Sequence, residues 1–373
     1  MSLQLDPEPE AHYTLPSPPD LDAVTYLYGH PLLNSLSPLL HKTIYNHLNL
    51  NWAQIPLSTT SSPASSNPTG AQQQQQQQPY TLSPPIPTFL SCARTSPKFT
   101  GSSVTMPHKV SIIPYLDDLT DEARGVGACN TIFLRSDPSE SGRHLLVGTN
   151  TDCIGIREAL LRHSPTLATT TMTSGSPSSH SPSTTALIVG GGGTARAAIY
   201  ALTKYLNFST IYIVNRDDSE VQAMIAEYEA RTTSSTTTTP TTLHHITSPS
   251  LIPSLPTQPS IIISGIPNYP PITPPEILAR EVLDTFLSQP PQNQTADKPR
   301  LLLEMCYHPH PWTSIAETGD RAGWTVILGT EAMVWQGLEQ ARLWTGRDDI
   351  TTDKVLEAKV KSMIEKSLKE RSR

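Results

Sequence analysis

The chain has 373 residues and a formal charge of −7, with 36% hydrophobic residues and 36 prolines. That length allows two domains with a core each, whereas the negative charge argues against nucleic acid as a partner. The first residues lack the basic and apolar stretches of a secretory signal, and no run of about eighteen apolar residues occurs. We therefore expect a cytoplasmic protein without a membrane partner.

The four cysteines are scattered and form no C-x-x-C pair: Cys92, Cys129, Cys153 and Cys306. This spacing is more typical of reduced thiols than of disulfides or a zinc site. We therefore expect no bound metal.

Three segments of low complexity interrupt the hydrophobic pattern, at about residues 58–85, 164–183 and 232–259; the first contains the run Gln72–Gln78. Their Ser, Thr, Pro and Gln composition predicts insertions that form mobile loops. The remaining segments alternate between strand and helix patterns, which favours a mainly parallel α/β architecture.

The first informative segment is residues 26–48 (YLYGHPLLNSLSPLLHKTIYNHL). Ser37 before Pro38 is typical of a helix N-cap with proline at the first helical position. If residues 35–37 are extended, the hydroxyls of Ser35 and Ser37 lie on one side. Such a pair suits a carboxylate, although a purely capping role remains open.

A glycine-rich turn lies between a predicted strand at residues 185–189 (TALIV) and an apolar helix. It fits G-x-G-x-x-A, in which glycines allow a sharp turn and close approach of a pyrophosphate to main-chain N–H groups. The predicted cofactor residues are Gly190, Gly191, Gly192, Gly193, Thr194 and Ala195. A plain glycine-rich turn is the alternative.

A second strand is predicted at residues 210–214 (TIYIV), followed by Asn215, Arg216 and Asp217. This is where a dinucleotide fold contacts the adenosine ribose. Arg216 favours the 2′-phosphate of NADP, whereas Asp217 favours the 2′-hydroxyl of NAD. The choice stays open, as does a simple solvated turn. Apolar residues among charges over residues 352–373 predict a final surface helix.

Further segments in chain order are residues 101–109 (GSSVTMPHK), 127–131 (GACNT), 148–155 (GTNTDCIG), 305–309 (MCYHP) and 333–337 (MVWQG). With the serine segment, the glycine loop and the Asn215-Arg216 pair, they resemble the signatures of the shikimate and quinate dehydrogenase family. The resemblance covers nearly the whole chain outside the insertions. It implies a substrate-binding domain at residues 1–151, a Rossmann-type domain at 152–329, C-terminal helices at 330–373 that return to the substrate domain, and an active site in the cleft.

Carried over by position, the resemblance implies that Lys109 is the catalytic lysine and Asp152 its carboxylate partner. Ser35 and Ser37 are then carboxylate binders. The other implied substrate ligands are Thr105, Asn130, Tyr307 and Gln336, and Gly329 joins the cofactor residues. Because a base must reach the hydroxyl proton, we assign that role to Lys109, with Asp152 orienting it.

The resemblance implies reversible oxidation of quinate to 3-dehydroquinate or of shikimate to 3-dehydroshikimate with NAD or NADP, by a monomer or homodimer. Ser103 replaces a usual Asn and, with its neighbours, is more similar to the fungal quinate dehydrogenase branch. Glu304 replaces an Asp, and residues 265–267 form a shortened loop. A biosynthetic NADP-dependent enzyme and a non-catalytic quinate sensor remain alternatives.

Overall fold

The computed structural model describes residues 13–32, 35–58, 81–82, 84–165, 167, 185–232, 241–290, 300–308 and 310–371. Within these ranges the chain forms a seven-stranded and a six-stranded sheet, each covered by helices. The expected α/β class with a Rossmann-type half and a second α/β half is confirmed.

The first sheet contains β1 to β7 at Ala23–Gly29, Trp52–Ser58, Thr81–Leu82, Phe99–Val104, Asp118–Leu119, Thr131–Ser136 and His144–Thr149. Its order over the described residues is β3-β2-β1-β4-β6-β7-β5. The β4–β6 and β6–β7 pairs are antiparallel and the other pairs are parallel. The mixed sheet places the ends of β4 and β7 and the start of β6 at one edge, from which the loops to the site arise.

Four helices accompany this sheet: α1 Ser37–His47, α2 Ile86–Thr95, α3 His108–Ser111 and α4 Asp121–Val126. The Thr120 hydroxyl caps α4, and Gly127 ends it with a φ of 71°, a conformation that favours glycine. Rings from β1 pack on Phe89 of α2 to form the core on this side.

The second sheet contains β8 to β13 at Thr185–Val189, Thr210–Val214, Thr242–His245, Ile261–Ser264, Leu301–Glu304 and Thr325–Leu328. Its order is β10-β9-β8-β11-β12-β13, and all neighbouring described strands are parallel. The predicted strands at 185–189 and 210–214 are confirmed. Their continuous apolar runs reflect burial on both faces.

The helices around the second sheet are α5 Asp152–His163, α6 Gly193–Tyr200, α7 Asp218–Thr232, α8 Pro274–Ser288 and α9 Ser314–Arg321. Two more, α10 Gly329–Thr345 and α11 Lys354–Arg371, pack on α1; the second confirms the predicted C-terminal helix. A Cβ on Gly155 would lie 2.3 Å from the Ala332 carbonyl oxygen, so only glycine lets α5 and α10 approach this closely. None of the helices in the described ranges is long and apolar enough to cross a bilayer.

The expected insertion at 232–259 is wrong for its second part. Thr242–His245 forms β10, an edge strand on β9, and Ile246 and Ile252 are buried beside it. Threonine-rich composition concealed this element, because β-branched residues also suit a half-exposed strand. The other two expected insertions lie largely outside the described residues.

Candidate active site

Lys109 and Asp152 form a direct contact although they belong to different helices. Lys109 lies in α3, after β4, while Asp152 is the first residue of α5, after β7. The Lys109 Nζ donates to Asp152 Oδ2 at 2.5 Å, and Asp152 is only 6% exposed. A carboxylate at a helix N-terminus is favoured by the helix dipole. The pair therefore presents an amine of fixed orientation that can give or accept a proton.

Asn130 binds the second oxygen of the Asp152 carboxylate. Its Oδ1 accepts the main-chain N–H of Thr151 at 2.7 Å, and its Nδ2 donates to Asp152 Oδ1 at 2.8 Å. Both oxygens of Asp152 therefore accept hydrogen bonds, which offsets the cost of burying a charge.

The glycine loop lies directly beside this pair. A Cβ on Gly193 would come within 3.2 Å of Lys109 Cδ, so the lysine stem runs along the loop. Gly190 has a φ of 122°, which side chains rarely adopt, and a Cβ on Gly192 would have no atom within 4 Å. The loop opens into the N-terminus of α6, and this combination fits a pyrophosphate. The turn thus has the shape that a dinucleotide needs.

Asp217 and Arg216, which follow β9, form hydrogen bonds and an ion pair with other residues of the chain. Asp217 Oδ1 accepts the N–H groups of Ser219 at 2.9 Å and Glu220 at 3.2 Å. The Ser219 hydroxyl also donates to it at 2.6 Å, and this hydrogen bond is the main cause that lowers the pKa of Asp217. Arg216, which is 66% exposed, forms an ion pair with Glu276 of α8. Asp217 therefore caps α7, and the Arg216 guanidinium already has a carboxylate partner.

Glu220 adds a third carboxylate to this edge. Its Oε2 accepts the Asn215 side-chain N–H at 2.7 Å and lies 2.6 Å from the position that a Gly191 Cβ would take. The loop is therefore bordered by negative side chains.

The serine pair differs from the sequence-based expectation. Ser37 is the first residue of α1, Leu36 is the N-cap, and neither side chain caps the helix. The Ser37 hydroxyl instead donates to Gln54 Oε1 at 2.7 Å, and Ser35 Oγ accepts the Ser37 N–H at 3.2 Å. The predicted N-cap role of Ser37 is wrong, because α1 begins one residue earlier than the Ser-Pro pattern predicts, so Ser37 is already helical and Leu36 takes the cap position.

The other predicted ligands lie on elements next to those that hold the lysine–aspartate pair. Thr105 follows β4, and its N–H donates to the Tyr28 carbonyl at 2.9 Å. Gln336 lies on α10 with its Cβ 3.3 Å from the Gly155 Cβ position, one turn along α5 from Asp152. Burial raises the pKa of Tyr307, and the charge of Asp152 adds to the shift.

Gly329 begins α10 against the main chain of Met305, whose carbonyl oxygen would lie 2.3 Å from a Cβ. The described contacts give this glycine a packing role between β12 and α10. Its predicted contact with the cofactor stays a prediction.

Sequence reasoning did not find the buried polar residues that connect to Asn130 through Thr131. They are Gln340, His41, Gln54 and Ser103; the sequence marks Ser103 only as a departure from the family pattern. Gln340 Nε2 donates to Thr131 Oγ1 at 2.8 Å. Gln340 follows Gln336 by four residues and so shares its helix face. That spacing was the available signal.

A glycine loop on a parallel sheet, next to a lysine–aspartate pair at the junction with a second sheet, defines a nicotinamide-dependent dehydrogenase. Comparison with known proteins agrees with this class. The family model of the shikimate dehydrogenase substrate binding domain matches residues 27–132. Quinate dehydrogenase of Emericella nidulans is 52% identical over 357 residues, which are 95% of this chain and 97% of that protein.

Solved structures share the fold. The dehydroquinate dehydratase and shikimate dehydrogenase of S. pombe gives a TM-score of 0.62 at 26% identity, covering 91% of this chain and 52% of that one. Quinate dehydrogenase from Corynebacterium glutamicum in complex with NAD gives 0.61 at 17% identity, covering 91% and 99%. The chain belongs to the shikimate and quinate dehydrogenase family and is an NAD(P)-dependent oxidoreductase.

Proposed function

We propose that this enzyme reversibly oxidises quinate to 3-dehydroquinate with NAD. The observation that carries the proposal is the 2.5 Å contact between Lys109 and Asp152 against the glycine loop. The relative from Emericella nidulans, a quinate dehydrogenase by name, supports the choice of substrate.

Lys109 is the residue that moves the proton. A bound nicotinamide supplies or accepts the hydride at the reacting carbon. In the reductive direction the Lys109 ammonium donates a proton to the oxygen that becomes the hydroxyl, and in the oxidative direction the neutral amine accepts it. Asp152 favours the ammonium and fixes its direction, so its role is to orient Lys109 and to accept a hydrogen bond from a ring hydroxyl.

The remaining polar residues bind the substrate. Ser35 and Ser37 face the carboxylate, and Thr105, Asn130, Tyr307 and Gln336 face the ring hydroxyls. The Ser35 hydroxyl accepts from the Ser37 main-chain N–H, so its own proton can be donated to a carboxylate. The Ser37 hydroxyl can donate to a carboxylate only if its hydrogen bond to Gln54 breaks.

The charges around the glycine loop favour NAD over NADP. A 2′-phosphate at the end of β9 would meet the carboxylates of Asp217, Glu220 and Glu276, and Arg216 is already paired with Glu276. A 2′-hydroxyl carries no such charge and can donate to an acidic side chain. Related folds have been solved with NAD and with NADP, so the fold itself permits either cofactor.

We further propose that the domains divide at residues 1–151 and 152–329, with residues 330–373 returning to the first. The first sheet ends at Thr149, the second spans Thr185–Leu328, and α10 and α11 pack on α1. We expect a cytoplasmic enzyme, because all four thiols are free, as in a reducing compartment. We also propose a monomer or homodimer. Light scattering on purified enzyme and cell fractionation test these two points.

Steady-state assays of quinate and shikimate, each with NAD and with NADP, test the proposed activity. We expect the quinate–NAD pair to give a kcat/KM about tenfold or more above the other three combinations. A preference for shikimate with NADP would replace the proposal with the biosynthetic activity. Binding of quinate without turnover in any combination would indicate a sensor.

A further inference from the structure

A buried line of hydrogen bonds joins the proposed carboxylate site to the catalytic pair. In order from Ser37, the links run to Gln54 at 2.7 Å, Ser103 at 3.0 Å, Gln340 at 3.1 Å, Thr131 at 2.8 Å, Asn130 at 2.8 Å and Asp152 at 2.8 Å, with Lys109 on the other carboxylate oxygen. Gln54, Ser103 and Gln340 are each at most 6% exposed. The line therefore runs behind the site rather than through its opening.

One main-chain donor fixes the direction of the whole line. The Thr151 N–H donates to Asn130 Oδ1, so the Asn130 amide N–H must face Asp152. Thr131 must then donate to the same Oδ1, and it accepts from the Gln340 amide. Each assignment of a donor and an acceptor therefore fixes whether the next group in the line donates or accepts.

The side-chain oxygen of Gln340 fixes the donors and acceptors in the rest of the line, from Ser103 to Ser37. Its Oε1 faces Ser103 and His41, and both must donate to it. Burial lowers the pKa of His41 to about 4, so the ring is neutral and carries its proton on Nε2. Ser103 accepts from the Gln54 amide, which leaves Gln54 Oε1 to take the proton of Ser37.

We propose that Gln340 is a positioning residue for proton transfer by Lys109. Through Thr131 it holds Asn130 against Asp152, and through Ser103 and Gln54 it couples the position of Asn130 to Ser37. This rests on the proposed function. Without the Gln340 amide, the Thr131 hydroxyl loses the donor that directs its own proton to Asn130. Asn130 and Asp152 then gain freedom, and a small displacement at a reacting centre is costly.

The coupling to Ser37 follows from the proton count. Because the Ser37 proton is committed to Gln54, a substrate carboxylate that takes this proton leaves Gln54 Oε1 without a donor. The amide of Gln54 then has to readjust against Ser103, and the change passes along the line. Occupation of the carboxylate site thus alters the restraint on Asp152.

The first test compares Gln340→Leu with wild type at a temperature well below both melting points. We expect kcat to fall about tenfold, KM for quinate to change less than threefold and the dissociation constant of the cofactor to stay unchanged. Gln340→Glu is a second variant. It keeps the side-chain length and an oxygen that accepts from Ser103 and His41, but when ionised it cannot donate to Thr131. We expect its kcat to fall by about as much as that of Gln340→Leu. Ser103→Ala, further along the line, should lose about threefold.

The matched control is Thr25→Val, which removes a buried hydroxyl that bonds Tyr45 at 2.9 Å in the same sheet. It should lower the melting temperature and leave kcat unchanged. If both Gln340 variants lower the melting temperature but keep wild-type kcat, Gln340 is merely structural and the inference fails.

A double-mutant cycle tests the coupling. Ser37→Ala and Gln340→Leu should be non-additive in kcat/KM by about threefold or more, although their side chains share no link in the line. Additive effects would contradict the coupling. Turnover of quinate and shikimate by the wild type is measured first. If the wild type turns over neither substrate, the proposed function fails. If the wild type is active and the variants are as active as the wild type, only the inference about Gln340 fails.

Discussion

The two halves of the site are built differently. On the substrate side, Lys109, Asp152 and Asn130 are held by hydrogen bonds that are largely buried. On the proposed cofactor side, the backbone shape of the glycine turn suits a dinucleotide, and Arg216, which pairs with Glu276, lies toward solvent. Proton transfer needs atoms in fixed places, whereas a large dinucleotide can be recognised by shape and by a few adjustable charges.

This difference ranks the expected effects of substitution. A buried hydrogen bond that is broken leaves a group without a partner, which costs more than losing an ion pair that water and salt already screen. Changes on the substrate side should therefore affect turnover strongly. Changes at the exposed charges of the cofactor side should be small.

The largest effect is expected for Lys109→Ala. Removing the amine that we propose transfers the proton should lower kcat by about a hundredfold or more, with little change in cofactor affinity. Steady-state kinetics with a parallel cofactor titration measure both. Lys42→Ala, an exposed lysine on α1, is the control and should behave as wild type; near-normal turnover of Lys109→Ala would remove this residue from the mechanism.

Gly190→Ala should come next and act on the cofactor. A side chain at a φ of 122° forces the turn to move, so we expect the dissociation constant for NAD to rise about tenfold or more. Calorimetric titration provides the measurement. Gly142→Ala is a matched control, with a φ of 85° and no atom near its Cβ position. It should lose stability alone, and equal loss of NAD binding in both variants would refute the role of the turn.

Glu304→Gln tests a buried carboxylate at the end of β12, in the half of the molecule that holds the glycine loop. The property tested is the dependence of stability on pH. The Cys306 N–H donates to Oε1 at 2.9 Å, and burial raises the pKa of Glu304 to about 7, since it outweighs the lowering effect of the nearby hydrogen-bond donors. The native state thus keeps a proton that the unfolded chain releases from about pH 4.5 upward, so the wild type loses stability as pH rises from about 4.5 to 7.

The variant lacks this loss. We expect its stability relative to wild type to increase across that window by roughly 1–3 kcal/mol. Thermal melts of both proteins at several pH values give the difference. A difference that stays constant with pH would show that Glu304 has an ordinary acidity.

The smallest effect is expected for Glu276→Gln. Releasing Arg216 from its partner should improve kcat/KM with NADP by about threefold, with little change for NAD. Glu281→Gln on the same helix is the control, since that carboxylate is exposed and forms no pair with Arg216 in the described residues. Equal effects of the two substitutions would mean that general charge, not the pair with Arg216, sets the preference.

The sequence predicted the features that rest on local pattern. The strands at residues 185–189 and 210–214 were readable as apolar runs, and the turn at Gly190 as a glycine pattern between a strand and a helix. The approach of Lys109 to Asp152 was expected only from the resemblance. Nothing in their spacing of 43 residues indicates it.

The features that were missed depend on contacts distant in sequence. Gln340 bonds Thr131 across 209 positions, and Gln54 bonds Ser103 across 49. Local periodicity marks which face of an element is buried but not which polar group meets another there. Ser37 shows the limit of local pattern at an element boundary: the Ser-Pro pair predicts a helix start correctly, but α1 begins one residue earlier, at Ser37 itself.

A structure of the ternary complex with NAD and quinate tests the central claim most directly. The account predicts that the hydroxyl on the carbon facing the nicotinamide lies within about 3.2 Å of Lys109 Nζ, with Asp152 holding the amine from the other side. A bound quinate whose reacting hydroxyl is out of reach of Lys109 would contradict it.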